Sequence, residues 1–489
     1  MFGRNGNNGA PMTQLKQNRS RPSDYLIITI AFGLTRAWLL YAGLYPDFDH
    51  VLSHSQYLDS KLLYENLASS LFFLHGQPPL WNAIIGILLK IADGDPSLFC
   101  FYYLCFSFLL SLSIAFMIYN LIVALNTIRV AGMTASLFYV LFSSAYYYEF
   151  YIFYQLFTAF LAIGCVQGLA WFLGGEHDLS RLSGLIMLLL CLVSLTLTWS
   201  LFHPVFALGV NVFLYLRFRF TKLITEKKNA VFFPLLLFFS TLAVFVVPIK
   251  NLMVFDYFGS STWLGMNLAQ AAPRSSDNVW LLHQCSDFHP ANYKEYQTAS
   301  ETVRFGAEYA SATMEVFKSD GVTPNLNNIG LIPRSRKCAK FALEVILNDI
   351  PGYLTGRWDQ FLRTSTSLSD TYFYYPKGLA GTAISQVMKT RNFIYIPYQY
   401  GYYLGPSIAI GISCLVPFLL WKKRKTLPKG TCEVISLGLF EIGFVLSLGL
   451  FLNGSEQNRM RFTVEPLMIF VVAYFIASIL KHIRDRKLI

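Results

Sequence analysis

The 489-residue chain is 54% apolar and only 14% charged, with a mean hydropathy of +0.44, whereas a soluble globular protein carries about a quarter charged residues. A soluble fold is excluded, and unbroken apolar runs in place of alternating ten-residue strands exclude a β-barrel, leaving an all-α polytopic membrane protein. The net charge of +11 does not imply a nucleic-acid partner, because basic residues cluster beside apolar runs in 217–228, 422–425 and 481–487, the pattern of the positive-inside rule.

Residues 1–24, polar and rich in Asn and Gly, read as a disordered cytoplasmic tail. The run 25–45 is too long for a signal-peptide core and reads as a retained first span. It opens an N-terminal transmembrane module, 25–249, whose first external loop is 46–78. That loop begins Tyr45-Pro46-Asp47-Phe48-Asp49-His50. Two carboxylates one residue apart at the outer surface can orient an acceptor hydroxyl, take its proton or bind a divalent cation. The same pair also reads as a solvated acidic turn at a helix end. Within 56–74, Leu63, Leu67, Leu71 and Leu74 share one helical face, which predicts a helix lying in the membrane interface. The loop closes on His75-Gly76-Gln77-Pro78-Pro79-Leu80-Trp81, where the proline pair suits a helix start.

Apolar segments follow at 79–91, 97–124, 131–148, 150–173 and 183–216, the last divisible at Phe202-His203-Pro204. With the first span they make seven. Seven has the wrong parity, because the tail and the basic stretch after Arg217 share a side only if the number is even; one segment must be re-entrant, broken or fused. Ionisable residues beside these runs include Arg36, Glu149, within an aromatic cluster, and His203. An intramembrane charge is a functional candidate by default, although His203 at a helix break also reads as structural. The span 230–247 leads outward to an extracytoplasmic domain, 250–395, in which Cys285 and Cys338 share a polar region and could pair. The C-terminal module, 396–489, places spans at 398–421, 434–452 and 464–480. Before the last span, Asn453-Gly454-Ser455 is a glycosylation sequon close to the membrane. Asn458-Arg459-Met460-Arg461-Phe462 follows, putting two arginines at an outward end. They can hold a phosphate or pair with Glu456, Glu465 or lipid headgroups.

Taken together, the acidic first loop (Asp47, Asp49), the Pro-Pro-Leu-aromatic start (Pro78 to Trp81), the Tyr-Glu-aromatic segment (Tyr148 to Tyr151) and Asn-Arg-x-Arg-Phe-x-x-Glu-Pro-Leu (Asn458 to Leu467) resemble the GT-C superfamily of polytopic glycosyltransferases. The likeness is greatest to members related to the protein mannosyltransferases and lipid A aminoarabinose transferases. The resemblance implies a GT-C-like bundle with an interfacial helix and a smaller extracytoplasmic domain. Its activity would be transfer of a sugar, usually with inversion, from a polyprenyl-phosphate donor to a glycan, lipid or protein acceptor. By carry-over Asp49, or Asp47, is the base, Asp49 being farther from the span end. Arg459 and Arg461 lie near the lipid phosphate, and Glu149, His75 and His203 are further substrate-binding candidates. A divalent cation is the one cofactor the acidic pair could hold. The chain departs from many relatives in His-Gly-Gln-Pro for His-Pro-Pro and in Asp-x-Asp for an adjacent pair. A bacterial inner membrane is the first expectation for its location and the endoplasmic reticulum the second. The competing class is a secondary transporter or flippase, which calls for midplane ionisable residues and repeated halves; no repeat is visible.

Overall fold

The computed structural model describes residues 21–54, 56–125, 128–141, 143–175, 177–218, 227–275, 278–286, 311–366, 430–452 and 457–487. The 398–421 span, the 422–425 cluster, the tail to residue 20 and the Asn453 sequon lie outside them. Among the described residues the chain is helical without strands, and seven helices are long and apolar enough to cross a membrane. It is a polytopic helical membrane protein.

In order, the N-terminal helices are α1 Pro22–Tyr41, α2 Asp49–Ser53, α3 Ser60–Glu65, α4 Leu67–Phe72, α5 Pro79–Ile91, α6 Pro96–Ala124, α7 Arg129–Val140, α8 Ser143–Phe150, α9 Gln155–Gly174, α10 Asp178–Thr198, α11 Pro204–Phe218 and α12 Lys227–Phe255. There follow α13 Leu264–Ala271, α14 Val279–Ser286, α15 Ser311–Met314, α16 Leu331–Asn348, α17 Ile350–Thr366, α18 Thr431–Leu452 and α19 Gln457–Lys487. Four helices begin with proline at their first position (Pro22, Pro79, Pro96, Pro204), where the missing amide donor costs nothing. Asp95 caps α6, accepting from Leu98 N at 2.7 Å.

Side-chain contacts fix the direction of each pass. Tyr25 near the start of α1 meets Phe116 and Tyr119 late in α6, and Asp24 pairs with Arg129 at the start of α7. Leu39 and Leu44, at and just beyond the other end of α1, pack with Leu104 and Phe150. Hence α1 and the α7–α8 pair run one way and α6 the other. Arg217 at the end of α11 meets Glu433 at the start of α18, and Tyr154 before α9 meets Trp199 after α10. One side thus collects Arg129, Arg181, Arg217, Lys227, Lys228, Lys481 and Arg484, the cytoplasmic side by the charge rule.

The parity problem is resolved at α5. Its start packs Trp81 against Phe157 in the outer turns of α9. Its far end joins, through the positive-φ pair Asp93 and Gly94, the outer end of α6. Both ends therefore lie outside. The helix rests on the first external loop, with Gly86 against Leu63 and Leu67 and Asn82 accepting from Leu58 N at 2.9 Å. Six passes (α1, α6, α7–α8, α9, α10, α11) then separate the N-terminus from Arg217. The segment 131–148 is broken between α7 and α8, and the helix expected over 56–74 is divided at Asn66 into α3 and α4. α9 and α10 approach so closely that a Cβ on Gly184 would stand 2.4 Å from Phe172 N, a small-residue crossing suited to lipid. Asp24, assigned to the tail by the sequence reading, is buried in the first turn of α1.

Helices α13–α17 form the external part. The disulfide between Cys285 and Cys338 ties α14 to α16.

Candidate functional site

The 73–77 segment is held from three directions. The Asn327 side-chain oxygen accepts from His75 N at 2.7 Å and Gly76 N at 3.0 Å, while its amide donates to Phe73 O and Ala312 O, each at 3.0 Å. Ser261 Oγ donates to Gly76 O at 2.6 Å, Thr262 N donates to His75 O at 3.2 Å, and Lys250 Nζ donates to Leu74 O. A Cβ on Gly76 would lie 2.6 Å from Leu326 O, so only glycine fits. Fully buried His75 sets Nδ1 3.1 Å from Thr262 Oγ1 and meets Phe255 edge-on at 4.8 Å. Burial, with the Lys250 charge as a smaller contribution, lowers its pKa to about 3. It is a neutral imidazole that does not itself line the cavity.

That clamp presents Gln77 to a cavity of about 640 Å³ between the outer ends of the bundle and the external loops. Its apolar wall is Phe206, Phe440, Phe444, Leu448 and Met460; its polar side is Gln56, Gln77, His203, Ser260, Ser261 and Asn267; Tyr154, Trp199 and Trp263 add aromatic surface. The cavity reaches down between the helices because α11 starts well below the outer end of α18. Phe206 stacks on Phe440 at 5.5 Å and meets Phe444 at 4.5 Å, and Phe444 lies eight residues before the end of α18, about 12 Å below it by helical rise. An apolar wall beneath a polar mouth is the shape needed by an amphiphile.

Of the residues singled out from sequence, His203 lines this cavity, its Nδ1 accepting from Val205 N at 3.3 Å to cap α11. Asp47 and Asp49 are exposed; Asp47 Oδ1 accepts from Asp49 N at 3.0 Å, opening α2. They do not line the cavity but are linked to it by rings: Tyr154 on Phe153 at 4.3 Å, Phe153 on His54 at 4.8 Å, and His54 beside His50 at 5.6 Å. Glu149 is also elsewhere, buried within the bundle. It accepts from Arg36 Nε at 2.9 Å, from Arg36 Nη2 and from Ser111 Oγ, while Arg36 Nη1 donates to Val140 O at 2.6 Å. Arg461 pairs with Glu465 at 2.9 Å. The Arg459 side chain lies outside the described residues, though its neighbour Met460 brings the start of α19 to the cavity wall. Among the described residues no group of three His, Cys, Asp or Glu side chains is arranged to hold a metal ion.

The sequence reading passed over Gln56, Gln77 and the Asn325, Asn327 and Asn328 cluster. Three asparagines in four residues was a visible sign of carbonyl-bridging turns; the role of the glutamines required the folded cavity. Lys318 was also missed. It donates to Leu52 O at 3.2 Å and His54 O at 2.6 Å, while Asp59 accepts from Ser319 N and, at 3.0 Å, from Ser319 Oγ. These bonds dock the external part on the first loop, and burial lowers the Lys318 pKa to about 8.

Compared with known proteins, the chain matches no family model, no curated protein and no solved structure.

Proposed function

We propose that the chain is a GT-C-like glycosyltransferase that moves a sugar from a polyprenyl-phosphate donor to an acceptor on the extracytoplasmic side. The observation that carries this reading is the cavity, whose apolar wall lies below the outer helix ends and whose polar mouth faces the external loops. The prenyl tail lies along Phe206, Phe440 and Phe444 and the head group reaches Gln77 and Asn267. The resemblance assigns the phosphate to Arg459 and Arg461. Transfer breaks the bond between the anomeric carbon and the phosphate oxygen and forms one to the acceptor oxygen, whose proton goes to an external carboxylate. The resemblance assigns that role to Asp49 or Asp47, which must move within hydrogen-bond reach of the acceptor from behind the rings that separate them from the cavity. Purified protein is incubated with a panel of polyprenyl-phosphate sugars beside an Asp47→Asn/Asp49→Asn variant. Sugar transfer or release by the parent, lost in an equally folded variant, is expected. Turnover retained by the variant removes the carboxylates from the mechanism, and an absence of both binding and turnover removes the transferase.

A transporter or flippase is the second reading, and Glu441 favours it. This residue is fully buried midway along α18, and neither carboxyl oxygen has a hydrogen-bond partner, the setting of a coupling-ion site. Lipid-linked sugar crossing a vesicle membrane without transfer, and stopping in Glu441→Gln, would select it.

A further inference from the structure

The contacts of α16 and α17 fix their height against the membrane. At the start of α16, Ile332 packs with Val254 and Phe255 in the last turn of α12, and Arg336 Nη2 donates to Asp256 O, one residue beyond that helix. On α17, Tyr353 Oη donates to Phe451 O in the last turn of α18. The outer ends of two spanning helices thus carry the pair, which runs between them at the level of the membrane surface. Helical spacing divides α17 into three faces. Tyr353 turns to α18, and Arg357, four residues on, is buried on the same side. Thr355 and Asp359, both exposed, lie on the far side. Between these two faces Ile350, Leu354 and Trp358 form an apolar row at i, i+4 and i+8. Leu343 and Leu347 share one stripe of α16 with Lys340 and Arg336, so that this stripe passes from apolar to basic with distance from the bend at Asp349. The five apolar side chains are between 48% and 61% exposed. Large apolar residues beside a bundle-facing row and opposite a polar one, at surface height, are the pattern of a helix pressed into lipid. Tryptophan favours that interface, and basic side chains at the polar end of the stripe are placed for lipid phosphate.

We propose that α16 and α17 form a lipid-binding elbow of the external part. Leu343, Leu347, Ile350, Leu354 and Trp358 lie among the acyl chains of the extracytoplasmic leaflet, and Arg336 and Lys340 take the phosphate of an anionic lipid head group.

The test reconstitutes the full chain into vesicles of phosphatidylcholine brominated near the head of its acyl chains, beside Trp358→Phe, and takes the emission of Trp358 as the difference between the two. Bromine is expected to quench that emission by about half. Quenching only by iodide added to the water places the row in water and overturns the elbow. Protection from both quenchers means that protein, either residues 367–429 or a second copy of the chain, covers the row, and overturns it as well. The head-group contact is read by native mass spectrometry of the detergent-solubilised chain with added phosphatidylglycerol. Lys340→Gln, its melting temperature unchanged, is expected to bind that lipid about fivefold more weakly than the parent, as one basic residue near a lipid surface is worth about 1 kcal/mol. Affinity equal to the parent's overturns the head-group assignment, and this second measurement decides it even if Trp358→Phe does not fold.

Discussion

Removing one member of the Arg36–Glu149 pair should damage the bundle far more than removing both. Arg36 is 2% exposed and Glu149 fully buried, and the pair joins α1 to α8 while reaching Ser111 on α6 and Val140 at the end of α7. Arg36→Met leaves the carboxylate with Ser111 alone, and Glu149→Leu leaves a guanidinium with one carbonyl, Thr35 and the Phe32 and Tyr146 rings but no counter-charge. Breaking a buried pair from one side costs about 3–5 kcal/mol. In the double variant only neutral groups lose partners, chiefly the Ser111 hydroxyl and the Val140 carbonyl, at about 1 kcal/mol each. The singles thus sum to about 6–10 kcal/mol and the double costs about 2–3 kcal/mol, a coupling of at least about 3 kcal/mol. Unfolding in mixed micelles by SDS titration, followed by circular dichroism, measures all four corners of the cycle. Single costs that add to the double within about 0.5 kcal/mol would refute the argument that the pair is a closed, mutually compensating unit.

Two further predictions concern the external part. The folded pKa of His75 lies near 3 against 6.5 unfolded, so below pH 6.5 the unfolded chain binds a proton that the folded chain refuses, and stability falls as pH drops toward 3. At pH 5 the loss is about 2 kcal/mol, from 1.5 pH units at 1.36 kcal/mol each; thermal melts at pH 7 and 5 should show it in the parent and a smaller loss in His75→Asn, and equal slopes would contradict it. Cys285 and Cys338 are 53 residues apart in sequence. Removing their crosslink costs about 4 kcal/mol in the loop-entropy account, and after reduction both thiols should react with an impermeant maleimide from the face opposite the basic helix ends; labelling from the basic face alone would invert the topology.

Much of the bundle was legible in the sequence because a bilayer demands long apolar runs. The segments at 97–124 and 150–173 match α6 and α9, and the break at Pro204 divides α10 from α11, since proline cannot continue the hydrogen-bond ladder. The lie of α5 was not legible. A thirteen-residue, mainly apolar segment can cross a thin region or rest on its surface, and only the packing of Gly86 on Leu63 and Leu67 decides between them. Nor does leucine periodicity over 56–74 reveal the turn at Asn66, whose backbone leaves the helical region at φ −128°. At the cavity, the His-Gly-Gln-Pro-Pro string contributes Gln77 to the lining, while His75 is buried beside it. The prolines begin α5, whereas the residue lining the cavity is Gln77, its segment held by Asn327 some 250 positions away. Glu149 stood out as an intramembrane charge, yet its partner Arg36 is 113 residues distant and no local spacing pairs them.

Photo-crosslinking tests directly whether the donor occupies the cavity. A polyprenyl-phosphate sugar with a benzophenone on its first isoprene units is irradiated with the full-length protein, and the adducts are mapped by mass spectrometry. Labelling is expected on the peptides that carry Phe206, Phe440, Phe444 and Leu448, competed away by unmodified donor. Adducts spread over the lipid-facing surfaces of α1 and α12, or labelling at the cavity that the donor does not displace, would contradict it.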